Sequence, residues 1–171
     1  MGKKALVAYA TKHGFTGEVA DYIGKTLKQA GLDVDVLAVR EVESVDKYDA
    51  VVLGTAVKGD EVLPEAADFV EKHRNELAAR PTALFGLSML MQEPTPENKK
   101  KVTAILNSLR YEMRPIEVGT FGGVRDPKNI AWVLKWATKK NNVATGDFRD
   151  WEAIREWTNR VAGLIESGRK Y

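Results

Sequence analysis

The sequence predicts an α/β fold: a doubly wound parallel sheet of five strands in the order 2-1-3-4-5, covered by helices on both faces as a three-layer α/β/α sandwich. Three observations predict it. Five short apolar runs are each bounded by turn residues. The gaps between them repeat apolar residues every three to four positions. The two patterns alternate along the chain. Continuous apolar runs suit strands buried on both faces, and strands alternating with helices build a parallel sheet covered on each side.

The first run is ALVAYA at 5–10. Behind it Val19, Ile23, Leu27 and Ala30 form a helical stripe, and Gly31 follows as a C-terminal cap. The second run, VDVLAV at 34–39, alternates more, as an edge strand does. The third is AVVLG at 50–54, and the link of about ten residues before it leaves room for a brief crossover helix or none. Pro64 then opens a helix carrying Ala67, Phe69, Val70 and Leu77. TALFGL at 82–87 is the fourth strand, followed by a helix with Val102, Ile105, Leu106 and Leu109 on one face. IEVGTFGG at 116–123 is the fifth. The closing helix has the strongest stripe, Trp151, Ile154, Trp157, Val161, Leu164 and Ile165, with Asp150 placed to cap it.

One stretch exceeds the minimal pattern. Residues 125–149 contain NIAWVLKWATKK, in which Ile130, Val133, Leu134 and Ala137 fit one helical face. Loops of this length are usually functional or carry structure of their own. No internal repeat or Pro/Gly-rich linker interrupts the chain, so a single domain over 1–171 with an insertion at about 125–149 is expected.

Composition narrows the chemistry. The chain has 171 residues, enough for one real core, and 44% are hydrophobic against 29% charged, which reads as globular. A net charge of +2 is too weak to imply nucleic acid. With no cysteine, thiol redox, disulfides and iron–sulfur ligation are excluded, and two histidines make a multi-His metal site unexpected, so no metal is assigned. Any redox role must use a bound cofactor. The basic start MGKK precedes an apolar run too short for a signal peptide, Leu6 breaks a myristoylation motif, and no stretch approaches a membrane span. A soluble cytoplasmic protein is expected, with peripheral membrane contact left open.

Ligands of open α/β sheets bind beyond the strands' C-terminal ends, where strand order reverses. Here that point lies between the first and third strands. The loops there are TKHGFT, 11–16, and TAVKG, 55–59. A helix starting near Thr16 offers unpaired N–H groups and the positive end of its dipole to an anion. Thr11 and Thr16 add hydroxyls, Gly14 allows a left-handed turn, and Lys12 and His13 bring charge. The turn alone reads equally as punctuation, with Thr16 a helix cap and Gly14 a turn residue. The second Thr/Gly loop facing it favours an anion site. Other phosphate motifs fail: Gly24-Lys25-Thr26 ends like a Walker A sequence but sits within a helix, and G-x-G-x-x-G is absent. A receiver domain would need acidic residues where Thr11 to Gly14 and Gly54-Thr55 stand.

YATKHGFT before an amphipathic helix, then YDAVVLGTAVKG, resembles the flavodoxin family. Within it, FVEKHRNELAARPTALFGLS, the closing FRDWEAIREWTNRVAGLIE and the extra segment after the fifth strand resemble the branch of menaquinone-dependent protoporphyrinogen IX dehydrogenases. The resemblance implies FMN as cofactor. It places Thr11, Lys12, His13, Gly14, Phe15 and Thr16 on the phosphate, and Thr55, Ala56, Val57, Lys58 and Gly59 beside the ring. Ser88, Met89, Leu90 and Met91 form a third loop, with Gly122, Gly123 and Val124 next to it. No protein nucleophile is expected. The implied function is an FMN-dependent oxidoreductase passing electrons from a porphyrinogen-like donor to a quinone, or else an electron carrier docking on redox partner proteins. A flavin-free interaction module is a third reading.

Two departures from the family pattern matter. Neither TAVKG nor LSMLMQ offers an aromatic to stack on a flavin, which leaves Val57, Met89 and Met91 to pack the ring. Simple carriers are strongly acidic near the flavin, whereas Lys12, His13 and Lys58 gather here; positive charge favours the reduced form and raises the potential. Blander readings stand beside these. His73 is expected on the surface, Lys99, Lys100 and Lys101 at a solvated helix start, and Trp151 and Trp157 in the core. Trp132 and Trp136 are read first as packing the insertion down, and second as an exposed apolar patch.

Overall fold

Each strand run buries side chains on both of its faces, and that fixes the architecture. The computed structural model describes residues 2–129 and 145–168. Along β1 (Lys4–Ala10), Ala5 and Val7 enter one core while Leu6 and Ala8 enter another, and all four are fully buried. Successive side chains of a strand point to opposite faces, so the sheet needs a helical layer on each side.

The first layer is α1 (Phe15–Gln29) with α5 (Trp151–Glu166). Val19, Ile23 and Leu27 of α1 meet Ile154, Trp157 and Val161 of α5 over Val52 and Phe85 of the sheet. The second layer is α2 (Pro64–Lys72), α3 (Arg74–Ala78) and α4 (Pro96–Met113), which cover Leu6, Val51, Leu53 and Leu84. The strands are β2 (Asp33–Ala38), β3 (Ala50–Lys58), β4 (Glu61–Val62), β5 (Thr82–Ser88) and β6 (Glu117–Gly122). Their order is β2-β1-β3-β5-β6, all parallel, with β4 added antiparallel to β3 alone. Counting the five long strands, this is the expected 2-1-3-4-5.

Local signals end the helices as the sequence suggests. At the end of α1, Leu32 N–H donates to the Leu27 carbonyl at 3.2 Å and Gly31 N–H to Lys28 at 3.0 Å, with Gly31 at φ 99. That crossed pair at a left-handed glycine satisfies carbonyls the helix leaves open. Asp150 caps α5, its Oδ1 accepting from Ala153 N–H at 3.0 Å. The link from β2 to β3 contains only a 3₁₀ turn, Val39–Glu41.

Three expectations need correction. Residues 55–58 are strand and not loop: β3 runs on to Lys58 because Val57 and Lys58 pair with Val62 and Glu61 across a turn whose Gly59 has φ 62. In α2 the buried alanine is Ala66 and Ala67 is exposed, since Phe69 and Val70 set the helix phase. His73 is 3% exposed and not a surface residue; it stands at the break between α2 and α3, its ring 4.8 Å from Phe69.

The neck of the insertion is a short ladder. β7 (Val124–Arg125) and β8 (Gly146–Asp147) pair antiparallel, Val124 with Asp147 and Arg125 with Gly146. The expected helical face at Ile130, Val133, Leu134 and Ala137, and Trp132 and Trp136, lie outside the described residues. Among the described residues no helix is long and apolar enough to cross a membrane.

Candidate functional site

The turn between β1 and α1 is shaped by one glycine and one hydroxyl. Gly14 sits at φ 89, ψ −11 in the left-handed region. No atom lies within 4 Å of where its side chain would start, so backbone conformation and not space demands glycine. Its N–H donates to Thr11 Oγ1 at 2.9 Å, and its carbonyl accepts the first helical bond, from Glu18 N–H at 3.2 Å. The N–H groups of Phe15, Thr16 and Gly17 precede that bond and open along the helix axis, where the dipole favours negative charge. Gly14, not Thr16, occupies the cap position, and no side chain caps the helix. Thr16 is 2% exposed and lines the cleft below. Among the described residues its hydroxyl has no hydrogen-bond partner.

These groups form one end of a cleft of about 400 Å³. Thr11, Lys12, His13, Phe15 and Thr16 make that end; Ala56 to Lys58 of β3 form one side, and Leu87, Met89, Gly123 and Val124 the other. The cleft therefore has a hydroxyl- and amide-rich end for a phosphate and apolar walls for a flat ring, within the size range of cofactor sites. The Lys58 ammonium beside Lys12 lowers the Lys12 pKa below its ordinary value, so two cations share the rim. A second cavity of about 640 Å³ adjoins the first. It shares Val57, Lys58 and Met89 with the cleft, and Gly59, Asp60, Leu90, Glu93, Asn98 and Arg125 help to line it.

Most residues singled out from the sequence converge here. Thr11, Lys12, His13, Phe15, Thr16, Ala56, Val57, Lys58, Met89, Gly123 and Val124 line the cleft, while Gly59, Ser88 and Leu90 line the adjoining cavity. Gly14 shapes the turn without lining either. Thr55 is fully buried: its hydroxyl donates to the Ala56 carbonyl at 2.9 Å and accepts from Leu63 N–H at 3.3 Å, which ties the hairpin to β3. Met91 packs into the core under α4, and Gly122 lies against the Phe148 carbonyl. Leu63, Leu87 and Asn129 line the cleft without having been singled out. Leu87 stands near the C-terminal end of β5, a strand whose end the sequence does mark; Leu63 arrives through β4, which two residues do not announce.

Comparison with known proteins agrees with this fold. A family model described as a flavodoxin domain matches residues 6–150. Protoporphyrinogen IX dehydrogenase [quinone] of Escherichia coli K12 is 24% identical, with 95% of this chain and 97% of that protein aligned. Probable flavodoxin 1 of Bacillus subtilis is 38% identical over 48% of this chain and 55% of its own. The crystal structure of oxidised Flavodoxin 1 from Bacillus cereus shares the fold, at TM-score 0.58 and 16% identity, covering 95% of this chain and 97% of that one.

Proposed function

The chain belongs to the flavodoxin-domain family, whose cofactor is FMN, and from that premise we propose an oxidoreductase of the protoporphyrinogen dehydrogenase type, passing electrons from a porphyrinogen-like donor to a quinone. The observation that carries the reading is the extent of the match. The Escherichia coli dehydrogenase aligns over 95% of this chain, the segment after β6 included, whereas the Bacillus subtilis flavodoxin aligns over 48%.

The residues present fit FMN. The N–H groups of Phe15, Thr16 and Gly17 with the hydroxyls of Thr11 and Thr16 would hold its phosphate. Thr16 lines the cleft wall with no hydrogen-bond partner for its hydroxyl among the described residues, which leaves that hydroxyl available to such a ligand. Ala56, Val57, Leu87, Met89 and Val124 would enclose the ring and exclude water. When bound, FMN supplies one- and two-electron chemistry, and the protein supplies position and electrostatics. Lys12 and Lys58 place positive charge at the rim, which favours a catalytic acceptor over a very low-potential carrier.

The absorbance spectrum tests the cofactor, since a purified protein that neither carries nor takes up flavin rejects it. Anaerobic oxidation of protoporphyrinogen with menadione as acceptor tests the activity. A flavin-loaded protein that shows no turnover but passes electrons to a partner protein would be the carrier instead, the reading that the Bacillus subtilis relative favours.

A further inference from the structure

We infer that Arg149 is a positioning residue for the anion-binding turn, and that the segment carrying it braces the two ends of the cleft. The inference rests on the flavin reading for its functional consequence and on the contacts of the segment for its structural one.

Arg149 lies just beyond the neck of the insertion, and its side chain is 9% exposed although it carries a charge. Its Nε and Nη2 donate to the two carboxylate oxygens of Asp147 at 2.9 and 2.7 Å, a paired fork, while Nη1 donates to Glu18 in the first turn of α1. The guanidinium also lies over two rings, 5.6 Å from the centre of Phe15 and 4.8 Å from that of Trp151. Phe15 is the first residue of α1 and a wall of the cleft. One side chain thus joins the returning strand, the start of α1 and the start of α5. Its polar contacts go to Asp147 and Glu18, which makes it a support for the turn and not a ligand group.

The neighbouring residue holds the opposite wall. Phe148 N–H donates to the Gly123 carbonyl at 3.0 Å, and Gly123 lines the cleft. At Gly122 a side chain would begin 2.1 Å from the Phe148 carbonyl, so only glycine lets the segment lie this close. Phe148 and Arg149 therefore fix Gly123 and Phe15 relative to one another. The amides of 15–17 select phosphate only while their direction is fixed, and this brace is what fixes it from outside the turn.

Arg149→Met keeps a long apolar side chain beside the rings and removes the guanidinium with its fork; Glu18→Gln, at a side chain 58% exposed, removes the charge of one contact without threatening the fold. Titration of flavin-free protein, followed by flavin fluorescence, gives affinities for FMN and for riboflavin, which lacks the phosphate. Arg149→Met should weaken FMN roughly tenfold and riboflavin less than about threefold, with Glu18→Gln shifting FMN in the same direction by a smaller factor. General destabilisation would weaken both ligands alike, and that result, or no change, overturns the inference. Amide exchange of the flavin-free protein is the second arm. Glu18 to Ala20, the first hydrogen-bonded amides of α1, should exchange faster in Arg149→Met while α4 is unchanged, and unaltered exchange there refutes the brace. A wild-type protein that binds neither flavin would refute the cofactor reading, and the exchange arm would still decide the brace.

Discussion

His73 is buried in the fold, whereas Lys58 stands exposed at the rim of the cleft. Burial, first, and the Lys72 cation, second, lower the His73 pKa below its ordinary 6.5, against weaker upward pulls from Glu76 and Asp46. Its Nε2 has no partner among the described residues, so the neutral ring is the form the fold accommodates. Because the folded pKa is depressed, the unfolded chain takes up the proton first as pH falls. Stability is full above about pH 6.5 and declines as pH drops towards the folded value. His73→Phe should flatten the loss of urea resistance between about pH 7 and pH 5, and parallel slopes in the two proteins would reject this. Lys58 instead lines the cleft rim, where it lowers the pKa of Lys12. Lys58→Ala should lower the midpoint potential of the flavin-loaded protein by roughly 20–60 mV, the scale of one nearby charge in a wet site. An unchanged or higher midpoint in a redox titration would count against it. At this scale the turn residues were legible because backbone chemistry demands them. The burial of His73 was not, because EKHRNE reads as polar helix surface until α3 turns it inward.

Elements were legible where the pattern was long or punctuated. α1 and α5 have stripes of several turns plus Gly31 and Asp150 at their ends, and both structural ends match. The extension of β3 to Lys58 was hidden, because its partner β4 has only two residues and no periodicity. The core strands depend on paired volumes that no single strand reveals. At Gly54 of β3 a side chain would begin 2.0 Å from Cζ of Phe85, its register neighbour on β5, and within 2.6 Å of two further ring carbons. Phe85 in turn stands edge-on to Trp157 of α5, with ring centres 6.0 Å apart. The ring is fully buried and meets Trp157 at its edge, and overpacking of this kind costs about 1–3 kcal/mol. Gly54→Ala should therefore lower the thermal midpoint by several degrees, and a variant as stable as the parent would show that the β3–β5–α5 contact can relax.

The order of strands and the place of a cleft beyond the ends of β1 and β3 follow from a pattern that the whole chain repeats, so both were legible. The coupling of the insertion to the cofactor turn was not, because Glu18 and Arg149 stand 131 positions apart and each reads alone as a solvated charge. That coupling divides residues 125–149 into parts with different expected roles. β7 and β8 pair Arg125 with Gly146, so the two ends of the excursion already meet in antiparallel register. Joining them by Asn-Gly in place of 126–145 makes a two-residue hairpin loop that suits such a pair. This excision keeps Asp147, Phe148 and Arg149, and with them the contacts to Gly123 and Phe15. It should leave FMN affinity within about fivefold of wild type, since Asn129 is the only described wall residue of the cleft that it removes. If the excised segment shapes the substrate site, turnover of a porphyrinogen should be lost while flavin absorbance is retained. Extending the excision through Arg149 should lose the flavin as well. Retained turnover in the shorter excision would place the substrate against the β3 and β5 loops instead, where the 640 Å³ cavity adjoins the cleft.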